Sequence, residues 1–208
     1  MLLHGYFRST ASYRVRIALN LKGVSYEDAF HHLRRGEQNA PEYLKLNPQG
    51  LLPTLEIGDA VLTQSLAICE YLEDKYPEPA ILPADLMERA HVRAFAQVIA
   101  CDIHPVQNLK ILARLRALGI ADDDVNAWAR TAIEEGLAAC DALIAGTDTP
   151  FCFGQAPSLA DICLVPQLVN ARRFGVDLKW ERLLAIEARC LALESFAKAS
   201  PDRQPDAE

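Results

Sequence analysis

The amino-acid sequence predicts two regions of different architecture: a small α/β unit over residues 1–77 and an all-α unit over residues 87–208, joined by a linker over 78–86. Three observations carry this reading. Short apolar runs bounded by turn residues alternate with helical spacing as far as Tyr76. Pro77, Pro79 and Pro83 then punctuate a single short stretch. Beyond them, apolar residues recur only at helical intervals.

Residues 1–5 read as the first strand, followed by a turn at Arg8-Ser9-Thr10. Val15, Ala18, Leu19 and Lys22 mark a helix that stops at Gly23. Residues 26–31 form a second strand, and Asn47-Pro48-Gln49-Gly50 is a turn. Pro53 opens a third strand over 54–57, which Gly58-Asp59 joins to 60–62 as a two-residue hairpin. A helix from Ser65 ends at Tyr76-Pro77. The order βαβ then ββα is thioredoxin-like in outline. In the second region Met87, Ala90, Ala94, Val98 and Cys101 keep helical spacing, and Pro105 is expected to kink that helix without necessarily ending it. Residues 125–144 are amphipathic. Ser158-Leu159-Ala160-Asp161 is similar to a capping box, with Asp in place of Glu, ahead of the apolar run 162–169.

Of the 208 residues, 50% are hydrophobic, enough for one large or two small cores. No apolar run reaches the roughly 18 residues of a membrane span, and the first residues lack a secretory pattern, so a cytoplasmic protein is expected. A net charge of −7 argues against a nucleic-acid surface. Binding of a small anion therefore requires a local basic cluster, because fields fade over about 8 Å. The six cysteines, Cys69, Cys101, Cys140, Cys152, Cys163 and Cys190, show no metal-ligand spacing and read mostly as buried thiols, with no metal site. His31-His32 with Arg34-Arg35 reads as a solvated loop, Trp128 and Trp180 as packing residues in helices, and Arg14 and Arg16 as partners for carboxylates.

The chemistry concentrates at two helix starts. Arg8-Ser9-Thr10-Ala11-Ser12 precedes the first helix, and Gln64-Ser65 opens another. Hydroxyls there serve as caps, but the free N–H groups and the helix dipole also make such positions anion sites. Between them in sequence lies Leu52-Pro53, where a cis peptide would turn backbone groups outward toward a peptide-like ligand.

Together these segments resemble the glutathione transferases of the zeta class. The span from Phe7 to Leu19, Asn47-Pro48, Leu52-Pro53-Thr54-Leu55 and Gln64-Ser65-Leu66-Ala67-Ile68 carry the resemblance in the first region. Gln107-Asn108-Leu109, Ala160 to Gln167, Arg173-Phe174 with Val176-Asp177-Leu178, and Arg203-Gln204-Pro205-Asp206 extend it over nearly the whole chain. The resemblance implies a glutathione transferase fold, a homodimer, and glutathione as cofactor. It implies that Ser9, with Thr10 and Ala11 beside it, meets the glutathione sulfur. Leu52 next to Pro53 would pair with the cysteinyl backbone, and Gln64 and Ser65 would hold the γ-glutamyl carboxylate. Gln49, His104 and Asn108 would add further contacts. One departure is Ala11, where many relatives have Cys, so no mixed disulfide forms at that position.

The implied reaction is isomerisation of maleylacetoacetate by thiolate addition, rotation and elimination. Maleylpyruvate isomerisation, or transfer to small electrophiles such as α-haloacids, is the alternative. The substrate is a dicarboxylate, for which Arg8, Lys110 and Arg173 are the candidate cations. A free thiol has a pKa of about 8.5, and lowering it by about two units takes roughly 2.7 kcal/mol. A charge-assisted hydrogen bond from Ser9 supplies about 1.5–3 kcal/mol and a helix N-terminus about 0.3–1 kcal/mol. No histidine base is required.

Overall fold

The computed structural model describes residues 1–208, which divide into two compact units: Met1–Ala80 with Leu191–Glu208, and Ile81–Cys190. In the first, strands β1 (Leu2–Gly5), β2 (Glu27–Phe30), β3 (Thr54–Ile57) and β4 (Ala60–Thr63) form one sheet in the order β2-β1-β3-β4. β1 and β2 run parallel, as their connection through helix α1 (Thr10–Leu21) requires, while β3 is antiparallel to both β1 and β4. Gly58, at φ 59°, makes the β3–β4 turn between the partners Ile57 and Ala60. A short helix α2 (Pro41–Leu46) precedes β3, and α3 (Ser65–Lys75) follows β4.

Strand alternation decides what each face of the sheet meets. Leu3 and its cross-strand partner Leu55 are fully buried, as are Val15, Ile17, Ile68 and Leu72 of the two long helices. The other face carries His4, with Nε2 2.7 Å from Glu56 Oε1 and Nδ1 2.8 Å from His31 Nε2. The Glu56 carboxylate accepts from His4 Nε2, and the two imidazoles share the Nδ1–Nε2 contact. Burial, and then His4, push the pKa of His31 down. The sequence placed His31 in a solvated loop. Instead it stacks on His4 and packs against Tyr43 of α2, a helix that its six-residue length hid from periodicity.

The C-terminal residues depart from the predicted boundary. Helix α9 (Glu194–Ala199) packs on α1 of the first unit rather than extending the helical unit. Phe196 and Ala199 are buried there, and polar bonds add to the hold. Arg16 is buried, and it donates from Nε to Ala199 O (3.0 Å), from Nη2 to Phe7 O (3.2 Å) and from Nη1 to Tyr6 O (3.5 Å). It serves carbonyl groups, not the carboxylate predicted for it, and burial pushes its pKa down to about 10. Asn20 Nδ2 donates to Ser195 O, and Phe7 N–H donates to Asp206 Oδ2. Lys22 joins α1 to α3 through Glu73 (2.6 Å) and also donates to Pro79 O.

The second unit contains α4 (Leu86–Gln97), α5 (Leu109–Ala117), α6 (Asp122–Leu143), α7 (Leu159–Arg173) and α8 (Glu181–Leu191). Asp85 caps α4 by accepting from the N–H groups of Met87 and Glu88. The helix then widens into a π turn over Val98–Ile103, closed by His104 N–H to Ile99 O. Pro105 lies beyond that turn and a new helix starts from Asn108, so the chain breaks there rather than kinking. Proline has no N–H to continue the ladder, and its ring crowds the carbonyl one turn back.

The π turn presses Ile103 onto α6. A Cβ at Gly136 would lie 2.2 Å from Ile103 Cγ1, so only glycine fits at this crossing. Gly136→Ala is therefore expected to lower the melting temperature, because overpacking costs about 1–3 kcal/mol against about 1 kcal/mol of gained helix propensity. Thermal denaturation checks this, and Ile103→Ala in the same chain should cost less than the sum of the two single changes.

Candidate active site

At the start of α1 the chain turns through Tyr6–Ser9, closed by Ser9 N–H to Tyr6 O at 3.0 Å. Ser9 is the N-cap: its Oγ accepts from the N–H of Ser12 at 3.1 Å. Capping uses a lone pair and leaves the hydroxyl proton for another acceptor, so the two readings of this serine are compatible. Its neighbours differ. Thr10, Ala11 and Ser12 are 5%, 7% and 0% exposed, and the hydroxyl oxygens of Thr10 and Ser12 are sealed inside without partners. Ser9 alone among these hydroxyls is half-exposed, with Arg8 half-exposed beside it. Thr10 and Ala11 thus offer a ligand their backbone, not their side chains.

The second helix start is built from the turn before β3. Asn47 Oδ1 accepts from the N–H of Gln49 (3.1 Å), and Asn47 Nδ2 donates to Leu51 O (2.8 Å). Tyr43 donates its hydroxyl to the same Leu51 carbonyl at 2.6 Å and accepts from Thr54 at 2.8 Å. Gly50 sits at φ 60° with Asn39 Oδ1 3.0 Å from where a Cβ would stand. The turn so fixed delivers Gln49, and then Leu52 before the cis peptide to Pro53. The sheet ladder begins one residue later, at Thr54.

Gln49 Oε1 accepts from Gln64 Nε2 at 2.9 Å, bringing two of the predicted residues together. Gln64 has φ 68° and ψ 117°, the one non-glycine residue with positive φ. Such a backbone costs on the order of 1–3 kcal/mol and persists where the surroundings impose it. It opens α3 with no side-chain cap and no acidic residue in the first turn. The N–H groups of that turn have no intrahelical acceptors, so with the helix dipole they form a site for an anion. Ser65, at its first position, is buried at 6% and accepts on Oγ from Arg14 Nη1 at 3.3 Å. Sequence reasoning expected a carboxylate beside Arg14 and missed this link, because the spacing between α1 and α3 is not legible from either helix alone.

The remaining predicted residues belong to the second unit. Asn108 caps α5 with Oδ1 on the N–H of Lys110 (3.0 Å), which leaves its amide Nδ2 to donate, and Lys110 is exposed. His104 is half-buried, just past the π turn. Arg172 and Arg173 both sit in the last turn of α7, where the helix dipole favours cations. They have separate tasks. Arg172 is held to Glu187 by two bonds of 2.6 and 2.5 Å, bracing α7 against α8, whereas Arg173 is half-buried on another side of the turn.

Residues 3–80 match the glutathione S-transferase N-terminal domain and residues 85–189 its C-terminal domain. This chain belongs to the glutathione S-transferase family. Among the relatives in that family, the maleylacetoacetate isomerase of Pseudomonas aeruginosa is 46% identical over 210 residues, covering 99% of this chain and 98% of its own. The holo structure of a maleyl pyruvate isomerase, a bacterial glutathione S-transferase of the zeta class, superposes with a TM-score of 0.97 at 46% identity over 100% of both chains. The maleylacetoacetate isomerase of Anaeromyxobacter dehalogenans 2CP-1, solved with dicarboxyethyl glutathione and citrate in its active site, superposes with a TM-score of 0.89 at 42% identity, covering 100% of this chain and 93% of its own. The glutathione transferase fold, with its mixed four-stranded sheet and helical second unit, is thus the family's own. No helix is long and apolar enough to cross a membrane.

Proposed function

We propose that this chain catalyses the glutathione-dependent cis–trans isomerisation of maleylacetoacetate to fumarylacetoacetate. The observation that carries the reading is Ser9, the one hydroxyl at the start of α1 that caps the helix through a lone pair while staying half-exposed. Glutathione fits the residues of the first unit. The uncapped start of α3 suits its γ-glutamyl carboxylate, with Gln64, Ser65 and Gln49 around it. Leu52, ahead of cis Pro53, suits the backbone of its cysteinyl part. His104 and Asn108 are assigned further contacts with the tripeptide.

When bound, glutathione supplies a sulfur nucleophile whose addition turns a conjugated double bond into a rotatable single bond and whose loss restores it as trans. Ser9 donates its hydroxyl proton to that sulfur and, with the N–H groups of α1, keeps it anionic. Arg8 and Arg173 grip the two carboxylates and stabilise the negative charge that spreads toward them, with Lys110 as a further cation. We infer that the chain works in the cytoplasm, and as a homodimer, as the family resemblance implies.

The test is an absorbance assay of maleylacetoacetate with and without glutathione. Turnover that persists without the tripeptide rejects the reading. Arg173→Ala is expected to lower turnover at least tenfold while the glutathione Kd, from calorimetry, stays within twofold. Unchanged turnover would remove Arg173 from the mechanism. A second reading, maleylpyruvate as substrate, is favoured by the likeness to the holo maleyl pyruvate isomerase, and the same assay run on both acids separates the two.

A further inference from the structure

Arg14 is the largest side chain wholly enclosed in the protein, at 1% exposure. Its guanidinium has five N–H groups to satisfy. One nitrogen, Nη1, donates to Ser65 Oγ, while Nε and Nη2 are sealed from solvent with no partner. No acidic side chain pairs with it. A buried cation without a counter-charge is strongly unfavourable, in contrast to Lys22, whose buried charge is met by Glu73. The first turn of α3, against which Arg14 rests, also contains no acidic residue and no side-chain cap. Positive potential from the guanidinium, the helix dipole and the free N–H groups therefore accumulates at one place, with no acidic side chain bonded to Arg14 and none in that turn.

We infer that Arg14 is a positioning residue for the anionic end of the ligand: it orients the Ser65 hydroxyl and supplies the buried counter-charge for an α-amino-acid carboxylate docked at the start of α3. The inference rests on the glutathione reading above and deepens it. The polarity of the hydroxyl is the physical link. Because Ser65 Oγ accepts from Arg14, its proton is directed away from the guanidinium and is available to a carboxylate at the helix start. Arg14 thus acts through Ser65 and by charge, without touching the ligand. The arrangement selects for a ligand that carries a carboxylate there, since a ligand without one leaves the cation unbalanced.

The test compares two peptides by calorimetry: glutathione, and its analogue 4-aminobutyryl-cysteinyl-glycine, which lacks only the γ-glutamyl α-carboxylate. Wild type should bind glutathione at least tenfold more tightly than the analogue. In Arg14→Met, which keeps the volume and removes the charge, glutathione binding should weaken at least tenfold while analogue binding stays within twofold, so the preference collapses. Arg14→Lys keeps a cation that cannot span the same donors, and should lose part of the preference, about threefold or more. It also serves if the methionine variant does not fold. Equal weakening of both peptides would mark Arg14 as merely structural and overturn the inference, as would an unchanged preference in either folded variant. Failure of wild type to bind glutathione at all would instead overturn the functional reading on which this one stands.

Discussion

Ser9→Ala is expected to raise the apparent pKa of protein-bound glutathione by about one to two units, the equivalent of the roughly 1.5–3 kcal/mol that a hydrogen bond to a charged group contributes. At pH 7 the fraction of reactive thiolate, about three-quarters for a thiol lowered by about two units, falls about 3- to 25-fold, and isomerase turnover falls with it. The sign follows from which form the serine stabilises: the donated proton favours the anion, so its loss moves the titration upward. A pH titration of thiolate absorbance in the complex measures the shift directly. The same change removes the cap on Ser12 N–H and costs about 1 kcal/mol of stability, read separately by thermal denaturation. A bound thiol whose titration does not move would assign the sulfur to another donor.

Asp161→Ala is expected to have the largest effect on stability, about 3 kcal/mol. The Asp161 carboxylate is fully buried and accepts from Cys152 N–H (2.9 Å), Ser158 N–H (2.8 Å) and Ser158 Oγ–H (2.8 Å). It joins the loop before α7 to the first turn of that helix. Alanine leaves these donors buried and unpaired, at about 1–3 kcal/mol each. Burial nevertheless outweighs the donors in setting the Asp161 pKa, which is raised, so alanine also relieves some cost of an enclosed charge. This places the net loss toward the lower end of the sum. Asp161→Asn retains an acceptor and should lose less. Chemical denaturation of both variants tests the ranking, and an alanine variant as stable as wild type would mean that the loop is held by its apolar contacts.

Much of this was legible in the sequence because it depends on local chemistry. The β3 limits, the Gly58-Asp59 hairpin, the start of α3 and the Asp161 cap follow from turn residues and alternation within a few positions. What escaped depends on partners distant in sequence. Neither Arg14 nor Arg16 shows in its own neighbourhood that it will serve a hydroxyl or backbone carbonyls instead of a carboxylate. The widening at Val98–Ile103 needs Gly136 of another helix, and α7 is so enclosed that its apolar pattern has no single face. In the site, residue types at the two helix starts pointed to Ser9, Gln64 and Ser65, but the bond between Gln49 and Gln64 and the strained backbone at Gln64 required coordinates.

The bonds from Arg16 to Ala199 and from Phe7 to Asp206 span 183 and 199 residues. During synthesis the sheet and its first helices leave the ribosome early, yet the loop that carries Arg8 and Ser9 lacks these tethers until residues 191–208 have emerged. Until they do, the flank of α1 that α9 covers in the folded protein has no cover from this chain.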